Sequence, residues 1–250
     1  MLEETLYEAI VKRKSIRKYD MTPLEANKLD EISSFMKTVT PLYDNIRTSF
    51  EIVSPDEIRG ILFSVKAPHY IVASSVHKEG YPINVGFMLQ EIDLYLSSIG
   101  YGACWLGMTK PTKDVQLDRD MEFVVAMAFG KPLEPLYRED PSEFRRKPLE
   151  QISNVNGNAL LEAARLAPSA SNGQPWRFIV ADDRIHAFCI RPNPLTALIM
   201  KKINMVDMGI AIRHIWLAAK HLGKEPEFIT DPEAIKIAPL GYYYSITIKV

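Results

Sequence analysis

Cysteine is nearly absent from this chain: of 250 residues only Cys104 and Cys189 carry a thiol, far apart and in no C-x-x-C pair, so no disulfide framework is expected. An excess of charge is missing too. Lys and Arg number 30 against 31 Asp and Glu, a net −1, which argues against broad electrostatic binding to nucleic acid or membrane. No apolar run is long enough to span a bilayer. The start, Met1-Leu2-Glu3-Glu4-Thr5-Leu6, lacks the charged-then-apolar order of a signal peptide, so a soluble cytoplasmic protein is expected. The histidines form no H-x-x-x-H or H-E-x-x-H pair, and His214 and His221 share a helix face with no carboxylate or cysteine nearby; no metal site is expected. A G-x-S-x-G elbow, a Walker loop and a G-x-G-x-x-G fingerprint are also missing, so a Rossmann-type nicotinamide site is not indicated.

What is present is ample core material, with 47% hydrophobic residues. Apolar periodicity predicts helices over 2–12, 22–36, 83–99, 159–167 and 205–222. Alternating or β-branched runs predict strands over 49–53, 69–74, 123–129, 177–180, 186–190 and 242–249. Strands mixed with buried-looking helices indicate an α+β or mixed α/β fold. The stretch 136–158 reads as polar and loop-like, and its Arg145-Arg146-Lys147 is either a solvated linker or an anion contact.

Two segments carry candidate chemistry. In Ala163-Ala164-Arg165-Leu166-Ala167-Pro168-Ser169-Ala170-Ser171-Asn172-Gly173-Gln174-Pro175-Trp176 an apolar helix end runs into a tight polar loop and then a strand. Pro168 cannot continue the helix, and Ser169, Ser171 and Asn172 offer short groups that hydrogen-bond locally or to a flat polar ring. An ordinary connecting loop has the same composition. The second segment, Lys12-Arg13-Lys14-Ser15-Ile16-Arg17-Lys18, sets six polar residues around one apolar one. Its guanidinium, ammonium and hydroxyl groups suit a phosphate monoester, though a solvated basic patch reads the same way.

Taken together, Arg13-Lys14-Ser15-Ile16-Arg17 and Ala167–Trp176 resemble the two signatures of the FMN-dependent nitroreductase family. Gly100-Tyr101-Gly102-Ala103-Cys104-Trp105-Leu106-Gly107 resembles that family's segment after its central helix, and Phe129-Gly130-Lys131-Pro132 with Arg145-Arg146-Lys147-Pro148 resembles its ending. The resemblance implies that Arg13, Lys14, Ser15 and Arg17, with Arg146, hold the FMN phosphate. It further implies that Pro168, Ser169, Ala170, Ser171, Asn172 and Gln174 edge the isoalloxazine ring, and that Trp105, Leu106 and Gly107 lie near N5. Trp105 could equally be a buried aromatic at a turn, and Cys104 reads as a small packing residue.

The order of these parts departs from an ordinary member, since the family's ending precedes its ring loop. A duplication accounts for that. The stretch from Asn84-Val85-Gly86 to Gly100 parallels the stretch from Asp207-Met208-Gly209 to Gly223, pairing Gly86 with Gly209, Ile92 with Ile215, Leu94 with Leu217 and Gly100 with Gly223 at a constant 123 residues. The expected architecture is therefore an α+β nitroreductase-like fold in two similar halves forming an intramolecular pseudo-dimer. Residues 1–150 would carry the phosphate motif and residues 151–250 the ring loop. Where the first half would have a ring loop it has Thr38-Val39-Thr40-Pro41-Leu42-Tyr43, and the second half has no Arg-x-Ser-x-Arg.

The activity implied is transfer of two electrons from NADH or NADPH, through FMN, to a small acceptor such as a nitroaromatic or quinone, with no general-acid residue. An FMN sensor or carrier without turnover, and a flavin-fragmenting enzyme on the same fold, are the alternatives. Further self-association is left open.

Overall fold

The computed structural model describes residues 2–60 and 65–250. In chain order the elements are α1 (Leu2–Lys12), α2 (Ala26–Met36), β1 (Thr48–Val53), β2 (Ile58–Gly60), β3 (His69–Val76), α3 (Tyr81–Ser98), β4 (Gly102–Leu106), β5 (Thr109–Pro111) and β6 (Met121–Gly130). They continue with α4 (Leu149–Ile152), α5 (Ala159–Arg165), β7 (Trp176–Ala181), β8 (Arg184–Ile190), α6 (Ala197–His221), β9 (Glu227–Ile229), α7 (Pro232–Lys236) and β10 (Tyr242–Lys249). The chain divides into two compact units, residues 12–143 and residues 1–11 with 144–250. The N-terminal helix thus groups with the C-terminal part, where Tyr7 stacks on His221 at 4.0 Å and Glu4 Oε2 lies 2.7 Å from His221 Nδ1.

In the unit of residues 12–143 the sheet order is β1-β3-β6-β4, antiparallel throughout. β3 is buried on both faces over His69–Ser75, as an interior strand flanked by layers must be. α3 is buried almost all round, including its polar Asn84, Gln90 and Asp93, because it is a core helix and not a surface one. A second layer of core is built from Ile16, Tyr19, Val53, Tyr70, Val72, Cys104, Leu106, Ala126 and Ala128.

In the other unit the order is β7-β8-β10-β9, again antiparallel throughout. α6 is its buried helix, contributing Met208, Ile210, Ile212, Ile215 and Leu217 to a core with Trp176, Phe178 and Phe188. The two long helices end alike. Gly100 and Gly223 take left-handed φ of +91° and +71°, and Tyr101 N–H bonds Leu96 O as Lys224 N–H bonds Ala219 O, both at 2.9 Å. This is the reversed-chain ending that glycine makes cheap.

Several boundaries differ from the periodicity. α2 starts at Ala26 and not near Thr22, because Leu24 N–H is taken by His69 Nε2 at 2.9 Å and Glu25 is extended. α6 begins eight residues ahead of Met205; its first turns expose Ile199 and Lys201 and so carry no burial pattern. The stretch read as loop-like contains α4, which buries Leu149 and Ile152. No helix among the described residues is long and apolar enough to cross a membrane.

Candidate functional site

In the unit of residues 12–143, Arg13 to Tyr19 run as an extended strip. Ile16 N–H bonds Ala103 O at 3.0 Å and Ser15 pairs in parallel with Ala103, beside the β4 edge. On its other side Arg13 bridges Tyr137 and Tyr19 bridges Pro132. Gly102 makes this approach feasible: a Cβ there would lie 2.5 Å from Ile16 Cγ1. The basic motif and Trp105–Gly107 are therefore brought together, as β4 carries Trp105 and Leu106.

Each member of the strip has a different environment. Arg13 is only 2% exposed. Its Nε sits 3.4 Å from Asp93 Oδ2 of α3, in ion-pair range but without hydrogen-bond geometry, its Nη2 is 3.4 Å from Ser15 Oγ, and its carbonyl accepts from Arg138. Lys14 and Ser15 are half-buried and Arg17 is exposed. Glu134 Oε1 accepts the backbone N–H of Arg17 at 2.8 Å and of Lys18 at 3.2 Å, pinning the strip while leaving side chains for other work. Trp105 Nε1 donates to Asp93 Oδ2 at 3.2 Å, so Asp93 joins Arg13 to Trp105. Burial pushes the Asp93 carboxyl up, opposed by Arg13, Trp105 and Gln90. Arg138 is lowered to about 10 by burial and by the neighbouring Arg13 charge. Leu106 points into the core and Gly107 is exposed. Cys104 is buried with its thiol pushed up by desolvation, an inert packing residue.

In the other unit, α5 stops at Arg165 and Pro168 is buried where the chain turns away. The loop that follows is strained. Ser171, Asn172 and Gln174 have φ of 49°, 56° and 49°, a left-handed conformation costing roughly 1–3 kcal/mol for a non-glycine residue, least for Asn. Several hydrogen bonds hold it. Gln174 N–H bonds Ser169 Oγ at 3.0 Å, Gln174 Nε2 donates to Asn172 O at 3.1 Å, and Gln174 Oε1 accepts Lys147 N–H at 2.7 Å. Lys147 Nζ reaches the carbonyls of Gly173 and Gln174, both at 3.0 Å.

Asn172, expected at a ring edge, has both amide groups committed within this unit: Oδ1 accepts from Arg146 Nη1 at 2.6 Å and Nδ2 donates to Arg145 O at 2.7 Å. Arg146, expected at the phosphate, directs its guanidinium to Asn172 and to Leu166 O. Ala170 N–H bonds both carboxyl oxygens of Asp207 on α6, each at 3.1 Å. Ser169 and Ala170 are half-buried, and Ser171 is exposed.

Periodicity and motif reading passed over Asp93, Asp207, Glu134 and Arg138. A signal for the two aspartates was available: each interrupts an apolar helix run, Ile92-Asp93-Leu94 and Val206-Asp207-Met208, and a buried carboxyl is retained only with partners. A hollow of about 270 Å³ lined by Met21, Ile58, Val65, Tyr70 and Thr109 includes none of the residues expected to bind flavin.

The strand order, the buried central helices and the paired motifs define a nitroreductase-like fold. A solved structure of a "putative nitroreductase" from Thermotoga maritima matches with TM-score 0.64 at 20% identity, over 98% of this chain and 93% of that one. The family model "Putative TM nitroreductase" matches residues 5–219, and the chain belongs to that nitroreductase family. A "Putative NADH dehydrogenase/NAD(P)H nitroreductase" of Archaeoglobus fulgidus is 37% identical over 29% of this chain and 53% of its own length. The match thus spans about half of that relative.

Proposed function

We propose that this chain is an FMN-dependent oxidoreductase that binds one flavin and passes two electrons from NADH or NADPH to a small oxidised acceptor such as a nitroaromatic or quinone. The observation that carries the reading is asymmetry between units of like topology. One has a strip of cationic groups and a hydroxyl, Arg13, Lys14, Ser15 and Arg17, whose chemistry suits a phosphate dianion. The other has a strained polar loop over Ser169–Gln174, the kind of geometry kept where function requires it. Each lacks the other's part.

An internal duplication, with functional halves 1–150 and 151–250 acting as a pseudo-dimer, supplies the reason. Support comes from the matching strand orders, the equivalent helix endings at Gly100 and Gly223 and the 123-residue spacing.

On this reading Arg13, Lys14, Ser15 and Arg17 hold the phosphate, Trp105, Leu106 and Gly107 lie near the reactive ring edge, and Pro168, Ser169, Ala170, Ser171, Asn172 and Gln174 shape the ring seat. Arg146 braces that seat through Asn172. Bound FMN supplies the two-electron chemistry, and the chain supplies binding, orientation and electrostatics. The test is flavin content and reduction: about one FMN released per chain, bleached anaerobically by NADH or NADPH. Two flavins per chain would sink the one-flavin reading. A flavin that stays oxidised under both donors would replace turnover by storage or sensing.

A further inference from the structure

The two long helices do the same mechanical task with chemically different residues. Asn84 on α3 is fully buried, and its Oδ1 accepts Leu42 N–H at 2.8 Å and Tyr43 N–H at 2.9 Å, gripping the loop between α2 and β1. Its Nδ2 donates to Thr48 Oγ1 at 3.0 Å, so the amide is satisfied on both sides. Asp207 stands 123 residues later, at the matching place on α6, and holds the loop between α5 and β7 through Ala170 N–H. It is 4% exposed.

We propose that Asp207 is the positioning residue of the Ser169–Gln174 loop, and that its change of charge loosens that loop and with it the seat for a flavin ring, without touching the phosphate strip. The ring-seat part rests on the function proposed above; the loop part does not. A buried carboxylate facing one N–H is undercompensated, and burial pushes Asp207 up to about 8 against the Ala170 bond. Near it, Cys189 of β8 feels the Asp207 charge and is itself pushed up to about 12 by burial; Tyr243 of β10, close to that thiol, is raised by burial and its hydroxyl has no hydrogen-bond partner among the described residues. Neither supplies a positive charge.

The sign follows from proton counting. With the loop closed Asp207 keeps its proton to about pH 8; opened to water it loses it near the ordinary carboxylate value, so opening releases a proton between these limits. Loop opening therefore rises by up to about tenfold per pH unit from roughly pH 5 to 8 and then levels off. An amide in the same place, as Asn84 is in the first unit, does not titrate in this range and brings no such dependence.

The experiment is hydrogen exchange of peptides covering residues 166–175 in the full chain from pH 5 to 9, divided by intrinsic exchange rates, for wild type, Asp207→Asn and Asp207→Ala. The expected result is a pH slope in wild type, no slope with retained protection in Asp207→Asn, and lost protection at every pH in Asp207→Ala. A flat wild-type profile, or the same slope in Asp207→Asn, would overturn the proposal. So would wild-type protection in Asp207→Ala. Riboflavin, which lacks the phosphate, then reads the seat: its affinity should fall with pH for wild type and stay level for Asp207→Asn. An exchange slope present in a chain that binds neither riboflavin nor FMN keeps the loop role of Asp207 and overturns the flavin reading instead.

Discussion

Asp93 on α3 and Asp207 on α6 are both buried carboxyls in the middle of an apolar helix, one in each unit, yet they sit in opposite electrostatic settings. Asp93 has an ion-pair partner in Arg13 and a donor in Trp105 Nε1. Among the described residues, Asp207 has a single donor, the Ala170 backbone N–H. Burial pushes both carboxyls up, but at Asp93 a guanidinium, an indole N–H and Gln90 oppose it and tie the group into a strut, whereas at Asp207 only the Ala170 N–H does. The comparison separates two tasks within one fold: locking a cationic strip against a sheet edge, and holding a strained loop by a contact that can weaken.

The largest effect that would break this comparison is expected from Arg13→Ala. Removing the guanidinium leaves Asp93 buried without its ion pair, which should cost about 3–5 kcal/mol of stability, read by urea unfolding. A loss below about 1 kcal/mol would show that the Arg13–Asp93 pair is not a strut. Since Arg13 is also one of the proposed phosphate donors, any FMN defect of this variant would mix folding with binding.

Arg17→Ala is the cleaner probe of the strip, because Arg17 is exposed and its backbone is pinned independently by Glu134. FMN affinity should fall about ten- to a hundredfold while riboflavin affinity and the unfolding midpoint hold. Equal weakening of both ligands would place Arg17 outside the phosphate site.

An effect of similar size comes from giving the first unit the second unit's residue. Asn84→Asp replaces the Nδ2 donor facing Thr48 Oγ1 and the Ile46 carbonyl with an acceptor. A cost of about 1–3 kcal/mol is expected near neutral pH, growing as pH rises from about 5 because the buried acid resists ionisation. Urea titrations at pH 5 and 8 measure it. Equal stability at both pH values would mean that the α2–β1 loop opens enough to hydrate the charge, and that the two helix positions are not mechanically alike.

Much of this architecture was legible from residue order. α1 and β10 fall on the predicted residues, and β1, β3, β6, β7 and β8 within a few positions, since each has its own period or β-branched run. β4 and β9 were not legible as strands. They are short edge strands, formed because β6 and β10 offer free ladder groups beside them, and five residues with two glycines or alanines show little preference of their own. The start of α2 was displaced by a histidine more than forty residues away.

The candidate site divides along the same line. By itself the sequence determined which groups are available: the basic strip at Arg13–Arg17, the proline-ended polar loop at Pro168–Gln174 and the spacing that relates Asn84 to Asp207, because composition, breakers and periodicity act locally. Only the tertiary structure decided how each group is used. It buried Arg13 against Asp93, turned Arg146 and both amide groups of Asn172 to bracing the loop, and placed Asp207 under Ala170. Hydrogen-bond partners and dielectric environment come from residues distant in the chain, and it is these that set which donors are occupied and which carboxyls keep their charge.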